Sequence, residues 1–349
     1  DGADPVHWTS TSLMQLDAKT VHAPEFGQQW INSSPLSLKA LRGQVVLVDF
    51  WDYTCVNCIR TLPYLREWHK RYSTQGLTIV GVHAPEFYFA SVSELVQLAV
   101  RDFGLEYPIL LDNDYQIWQA FANRYWPAKY LIDTEGYIRY FHPGEGNYGE
   151  TETAIQMLLR ERNPMLAELP PIMQPIRPLD EPGAIQACQR PTPELYLGAK
   201  RGRIANEGGM REDERFQYQF NNSKNRPKED DLIELDGIWQ VRDQSSQAFP
   251  NPVSSLRLQY SAAEVNLVLA ASAECPIARV DITENGKPLT PDARGEDVRY
   301  DASGVSFVEV NRPKMYSLIQ RNHFVTGLLQ LDTRSSGLEV FAFTFVSCI

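Results

Sequence analysis

One short stretch limits what this chain can fold into more than any other. From Val45 to Trp51 it is apolar except for Asp49, and it then runs through Asp52-Tyr53-Thr54 into Cys55-Val56-Asn57-Cys58. A continuous apolar run of that length is the pattern of a strand buried on both faces. Beyond the cysteines, Ile59, Leu62, Leu65 and Trp68 recur on one helical face, and Pro63 follows five residues after Cys58. A buried strand therefore passes into a helix with two thiols at the junction. Thiols at that spacing can close a disulfide within one helical turn, so the junction reads as a site of electron exchange.

The chemistry follows from the position. A cysteine at a helix N-terminus meets free backbone N–H groups and the positive end of the macrodipole, and both stabilise a thiolate. Cys55 is then the nucleophile that attacks a partner disulfide, and Cys58, one turn further in, resolves the mixed disulfide. Cys58 needs a proton acceptor. Asp49 is the candidate, because burial in an apolar strand raises a carboxyl pKa into a useful range. Two other readings of the cysteine pair are weak. A structural zinc site wants four ligands, and neither a second Cys-x-x-Cys nor a close His pair is present. A peroxiredoxin needs Thr or Ser three residues before its attacking cysteine, where this chain has Asp52.

Around this core, strand and helix signals alternate. Strands are expected at 44–51, 77–83, 128–132 and 137–142, the last two joined by a Thr134-Glu135-Gly136 turn. Helices are expected after Cys58, from Ser91 to about Gly104, from a cap at Asp112 or Asp114 to Ala122, and over 151–162. Strands separated by helices mean an α/β sheet with right-handed crossovers. Asp112-Asn113-Asp114 lacks the rest of a calcium loop, so helix capping is the better reading. Residues 163–193 are rich in proline and read as a stiff, extended linker along a surface. Beyond them helix patterns give way to short strands, at 216–220, 233–242, 255–260, 265–271, 278–283, 306–310, 328–332 and 338–345, with turns such as Asn285-Gly286 between. That spacing suggests a β-sandwich. The expected domains are 1–165, α/β; 166–193, linker; and 194–349, all-β.

The 349 residues suit two domains, and 43% hydrophobic content is ample for two cores. A net charge of −11 argues against nucleic acid or an anionic membrane surface as the main partner. No apolar run approaches the length that spans a bilayer, and Asp1-Gly2-Ala3-Asp4 is unlike a signal peptide. The chain is thus expected to be cytosolic, mature and secreted, or a soluble part of something larger. The remaining cysteines are Cys188, Cys275 and Cys348. In the second domain, Trp239, Tyr260, Tyr300 and Tyr316 would make either a sugar-stacking platform or core filling, and core filling is favoured.

Asp49-Phe50-Trp51, Cys55-x-x-Cys58 and Pro63 together resemble the thioredoxin active site. The resemblance implies that Asp49 is that family's buried aspartate and Pro63 its helix-kinking proline. It also implies that Trp126-Pro127, before the strand 128–132, is its cis-proline pair facing the disulfide. The longer spacing between Cys58 and Pro127 resembles extracytoplasmic TlpA-type thioredoxins. A narrower resemblance rests on Trp51–Cys58, Gly81-Val82-His83-Ala84-Pro85-Glu86-Phe87, Tyr125–Asp133, Gly144-Glu145-Gly146-Asn147-Tyr148 and Thr192–Gly198. These are similar to the soluble C-terminal region of DipZ-type proteins, in which a CcdA-type membrane domain precedes a thioredoxin-like domain and a sandwich resembling a carbohydrate-binding module. It implies a thiol–disulfide oxidoreductase in the periplasm or another extracytoplasmic space, acting in cytochrome c biogenesis or a related route. Its partners would be a disulfide-bonded protein substrate and a CcdA-type membrane electron donor, with a glycan for the jelly-roll-like sandwich; no cofactor, metal or nucleic acid is implied.

Substrate contact is then expected from Trp126, Pro127, Tyr53, Trp51 and Glu86. Extracytoplasmic placement would permit a structural disulfide between Cys275 and Cys348. One departure concerns the acid. Many TlpA-type reductases carry Glu three residues after the second cysteine, where Thr61 stands here, so the acid–base role falls to Asp49, assisted by Glu86. Two competing functions remain at this point: a glycan- or protein-binding module on a thioredoxin-like scaffold, and a copper-handling dithiol.

Overall fold

The computed structural model describes residues 19–166, 168–181, 188–221 and 231–347. The chain divides into two compact units, Asp1–Pro182 and Gly183–Ile349.

The first unit contains strands β1 (Trp30–Ile31), β2 (Val45–Trp51), β3 (Leu77–His83), β4 (Ile109–Leu111), β5 (Ala128–Ile132) and β6 (Ile138–Pro143). Helices α1 (Val56–Tyr72), α2 (Ser93–Asp102), α3 (Gln116–Ala120) and α4 (Tyr148–Arg162) connect or follow them. The sheet order is β1-β4-β3-β2-β5-β6. β2, β3 and β4 run parallel, while β5 and β6 are antiparallel. β2 is central, which is why all seven of its residues are buried. Alternation along the strand divides its side chains between two faces. Val46, Val48 and Phe50 join Val80, Val82, Tyr130, Ile132 and Phe141 in one core cluster. Leu47, Asp49 and Trp51 leave the sheet on the opposite face. Helix α1 buries Leu62, Leu65 and Trp68, and α4 buries Ile155, Leu158 and Leu159. This is a thioredoxin-like fold. The helix expected from Ser91 begins at Ser93, after a short 3-10 turn over Tyr88–Ser91.

Part of the Pro-rich stretch packs against this unit. Tyr64 Oη donates to Asp180 (2.8 Å) and accepts from the Ile176 N–H (2.7 Å). The Met173 N–H reaches Glu152 (2.7 Å), Arg71 bonds the Pro171 carbonyl (2.9 Å), and Gln156 bonds that of Pro170 (2.7 Å).

The second unit is a β-sandwich built from β7 (Leu195–Tyr196), β8 (Arg215–Tyr218), β9 (Ile233–Val241), β10 (Ser246–Ala248), β11 (Ser254–Ala270), β12 (Ala278–Glu284), β13 (Lys287–Pro288), β14 (Arg299–Tyr300), β15 (Ser306–Val310), β16 (Lys314–Thr333) and β17 (Glu339–Val346). Two segments expected as separate strands are one: β11 runs unbroken from Ser254 to Ala270 and absorbs irregularities at Ala262/Glu264 and Val265/Asn266 as bulges. Its first part pairs with β9 and its second with β17, while β16 follows it throughout. Trp239, Tyr260 and Tyr316 are buried in this unit's core.

Candidate active site

The strand-to-helix junction places the two thiols unequally. Cys55 is the N-cap of α1, with extended backbone, and its Sγ accepts the Cys58 N–H at 3.2 Å. The two sulfurs lie 2.6 Å apart as free thiols. Cys55 is partly exposed, whereas Cys58 is buried. Burial, and then the contact with Cys55, push the Cys58 thiol well above its ordinary pKa. The accessible sulfur is thus the natural attacker, and the inner one needs help to lose its proton.

Asp49 is the expected acceptor. It is fully buried, which raises its carboxyl to about 6 against the partial opposition of Lys129. Its field also contributes to raising Cys58. Lys129, the residue two beyond Pro127, is fully buried too, and its Nζ lies 3.6 Å from Asp49 Oδ1. Sequence reading passed over Lys129. The available signal was a lysine inside an otherwise apolar strand, Ala128-Lys129-Tyr130-Leu131-Ile132.

The loop before Cys55 is held by a second buried carboxylate. Asp52 accepts from the Thr54 N–H (2.6 Å) and Oγ1 (2.5 Å) and from the Glu86 N–H (2.7 Å). His83, at the end of β3, accepts the Tyr53 N–H on Nε2 (3.3 Å). Burial pushes His83 down to about 3, so it is a neutral acceptor. Glu86 therefore meets the site through its backbone N–H. Trp51 and Tyr53, two of the expected substrate contacts, are buried. Trp51 is 1% and Tyr53 4% exposed, and both pack against His83, with centroids at 5.1 and 5.7 Å. Their bulk makes them the support under the loop.

Trp126-Pro127 is a cis peptide. Trp126 is half-buried, donates from Nε1 to the Ala84 carbonyl (3.1 Å) and packs on Trp118 at 4.3 Å. The Gly144 N–H bonds the Pro127 carbonyl (2.7 Å), and the next residue, Glu145, accepts a bidentate pair of bonds from the Nε–Nη2 edge of Arg60 (2.9 and 2.5 Å). Arg60 also reaches Asn57 Oδ1 at 2.7 Å, so one residue ties the pair between the cysteines to the proline wall. Sequence reading did not find this bridge. At Thr61 a hydroxyl takes the expected acid's place and bonds the Asn57 carbonyl (3.0 Å) and Tyr148 Oη (3.2 Å).

The expected Cys275–Cys348 disulfide is also corrected. Cys275 is a free thiol whose Sγ contacts the Ile277 carbonyl (3.4 Å), while Cys188 is disulfide-bonded; Cys348 lies outside the described residues. Among the described residues no group of His, Cys, Asp and Glu is placed to hold a metal, and no helix is long and apolar enough to cross a membrane.

Comparison with known proteins agrees with this geometry. Residues 20–141 match the AhpC/TSA family, and residues 192–345 match a family described as the thioredoxin like C-terminal domain. The fold and the dithiol define a class: this is a thioredoxin-like protein with a Cys-x-x-Cys pair at the head of α1. Within that class the chain is homologous to Protein DipZ. It is 32% identical to that of Mycobacterium bovis over 90% of this chain and 41% of the relative, so it spans about two fifths of the curated protein's length. It is also 30% identical to the thiol-disulfide oxidoreductase ResA of Bacillus subtilis over 33% of this chain and 62% of ResA. A thioredoxin-family thiol:disulfide interchange protein of Chlorobium tepidum aligns at TM-score 0.36 and 21% identity, over 41% of this chain and 99% of that one.

Proposed function

We propose that this chain is an extracytoplasmic reductase of protein disulfides. Cys55 attacks the partner, Cys58 resolves the mixed disulfide, and Asp49 takes the Cys58 proton. Trp126 and Pro127 hold the partner's extended backbone. The observation that carries this reading is the inequality of the thiols: one is partly exposed at a helix N-terminus, and the other is buried within the field of a carboxyl poised at about 6. The disulfide at Cys188 supports an oxidising compartment. By analogy with DipZ-type proteins, electrons arrive from a CcdA-type membrane donor. The sandwich serves as the accessory binding domain. A glycan array tests carbohydrate binding there, although Trp239, Tyr260 and Tyr316 are committed to the core.

The test is a disulfide-exchange assay with a protein substrate. Cys55→Ser abolishes turnover, and Cys58→Ser accumulates a covalent complex through Cys55; full activity in Cys55→Ser overturns the reading. The reduction potential fixes the direction. A value near about −270 mV supports a reductase, and one near about −120 mV an oxidase.

A further inference from the structure

Asp49 on β2 and Lys129 on β5 are direct cross-strand partners, so their side chains leave the sheet on the same face. Neither Asp49 Oδ1 nor Lys129 Nζ has a hydrogen-bond partner among the described residues; each faces the other across 3.6 Å. Among the described residues, the groups that face the pair from β3, β6 and α4 add no compensating charge. β3 contributes Gly81 opposite Asp49. β6 contributes His142 opposite Lys129, held neutral at about 4 by burial and then by the Lys129 charge. Tyr148 of α4 lies with its ring 5.9 Å from Nζ and is pushed up to about 12 by burial. Tyr107, raised well above its usual value by burial and then by Asp49, stays protonated. At the start of α1, the Cys58 thiol feels the charge of Asp49 and contacts Cys55, the helix's N-cap.

We infer that Lys129 is a positioning residue of the dithiol site, whose buried ammonium keeps the site electrically neutral while a proton moves from Cys58 to Asp49. The inference rests on Asp49 being the proton acceptor. Before transfer, the carboxylate and ammonium cancel and Cys58 is a neutral thiol. In transfer, the Cys58 S–H bond breaks and an O–H bond forms on Asp49. The ammonium now faces a thiolate, and the net charge is still zero. The thiolate attacks Cys55 Sγ of the mixed disulfide. The Cys58–Cys55 bond forms, the bond from Cys55 to the partner breaks, and the partner leaves as a thiolate carrying the electron pair; the proton on Asp49 returns to solvent. Without Lys129 the site would hold an uncompensated buried charge at both stages, at a large desolvation cost.

The test uses the full chain with Cys55 in a mixed disulfide with thionitrobenzoate, whose release reports the resolving step. Lys129→Met should move the pH midpoint of release upward by about one to three units. Lys129→Arg, which keeps the charge, should restore it towards that of the wild type. An unchanged midpoint in Lys129→Met, with the inflection lost in Asp49→Asn, overturns the role of Lys129 and leaves Asp49 intact. An inflection that survives in Asp49→Asn overturns the acceptor itself. Asp49→Asn/Lys129→Met removes both charges and so guards against a folding failure of the single variant. It should release thionitrobenzoate at least about ten-fold more slowly than Asp49→Asn at alkaline pH, where stabilisation of the thiolate by Lys129 is the remaining difference; equal rates overturn the inference.

Discussion

At the scale of single residues, the site is a set of ionisable groups whose environments drive them apart. Asp49, raised to about 6, works as a base only when deprotonated. The resolving step should therefore slow as pH falls through about 6, which single-turnover kinetics between acid and neutral pH will show. His83 governs stability instead. Its folded pKa of about 3 lies below the ordinary imidazole value of 6.5, so the unfolded state binds the extra proton first. Stability is then lost as pH falls from about 6.5 towards 3, by about 3 kcal/mol between neutrality and pH 4. His83→Gln, which can still accept the Tyr53 N–H, should flatten that loss in urea titrations at the two pH values. The cysteines and Asp49 were legible because their spacing is local. Lys129 was not, because its meaning depends on β5 lying beside β2 in one register, a pairing across about eighty positions of chain.

At the scale of elements, the first unit was readable because its strands are fully buried and its helices amphipathic, so composition and period mark them directly. β3 and β5 fall where their patterns end. In the sandwich the first half of β16 escaped notice. Ser317, Gln320, Arg321, Asn322 and His323 look like loop residues, yet the segment pairs with β11 and buries Tyr316, Leu318 and Ile319. A half-exposed strand carries polar groups on its wet side, and bulges break the alternation that would betray it. Among the helices, α3 is short; its N-cap is Tyr115, whose side chain makes no capping bond, so its free N–H groups are served by a carboxylate three residues earlier. Asp112 accepts the N–H groups of Ile117 (2.9 Å) and Trp118 (2.7 Å). Asp112→Ala should cost about 1–2 kcal/mol in chemical denaturation. It should also weaken exchange with protein substrates, because Trp118 from α3 supports Trp126.

At the scale of the molecule, the Pro-rich stretch belongs in part to the first unit's stability. A fragment ending at Met165 gives up the partners of Tyr64, Glu152, Gln156 and Arg71 that residues 170–180 provide. It should be less stable than one ending at Pro182 by about 2–4 kcal/mol, at roughly 1 kcal/mol per hydrogen bond, as read by urea midpoints of the two fragments. In the second unit, β11 and β16 stay paired from Ser254↔Thr333 to Leu269↔Lys314 while the flanking strand changes from β9 to β17. This two-stranded ribbon acts as a seam sewn through the sandwich. Both groups of flanking strands are anchored on β11, β9 at Ser255–Leu258 and β17 at Glu264–Ala270. Amide exchange along both halves of the ribbon should therefore report a single opening event, so that a destabilising change at either end is felt at both.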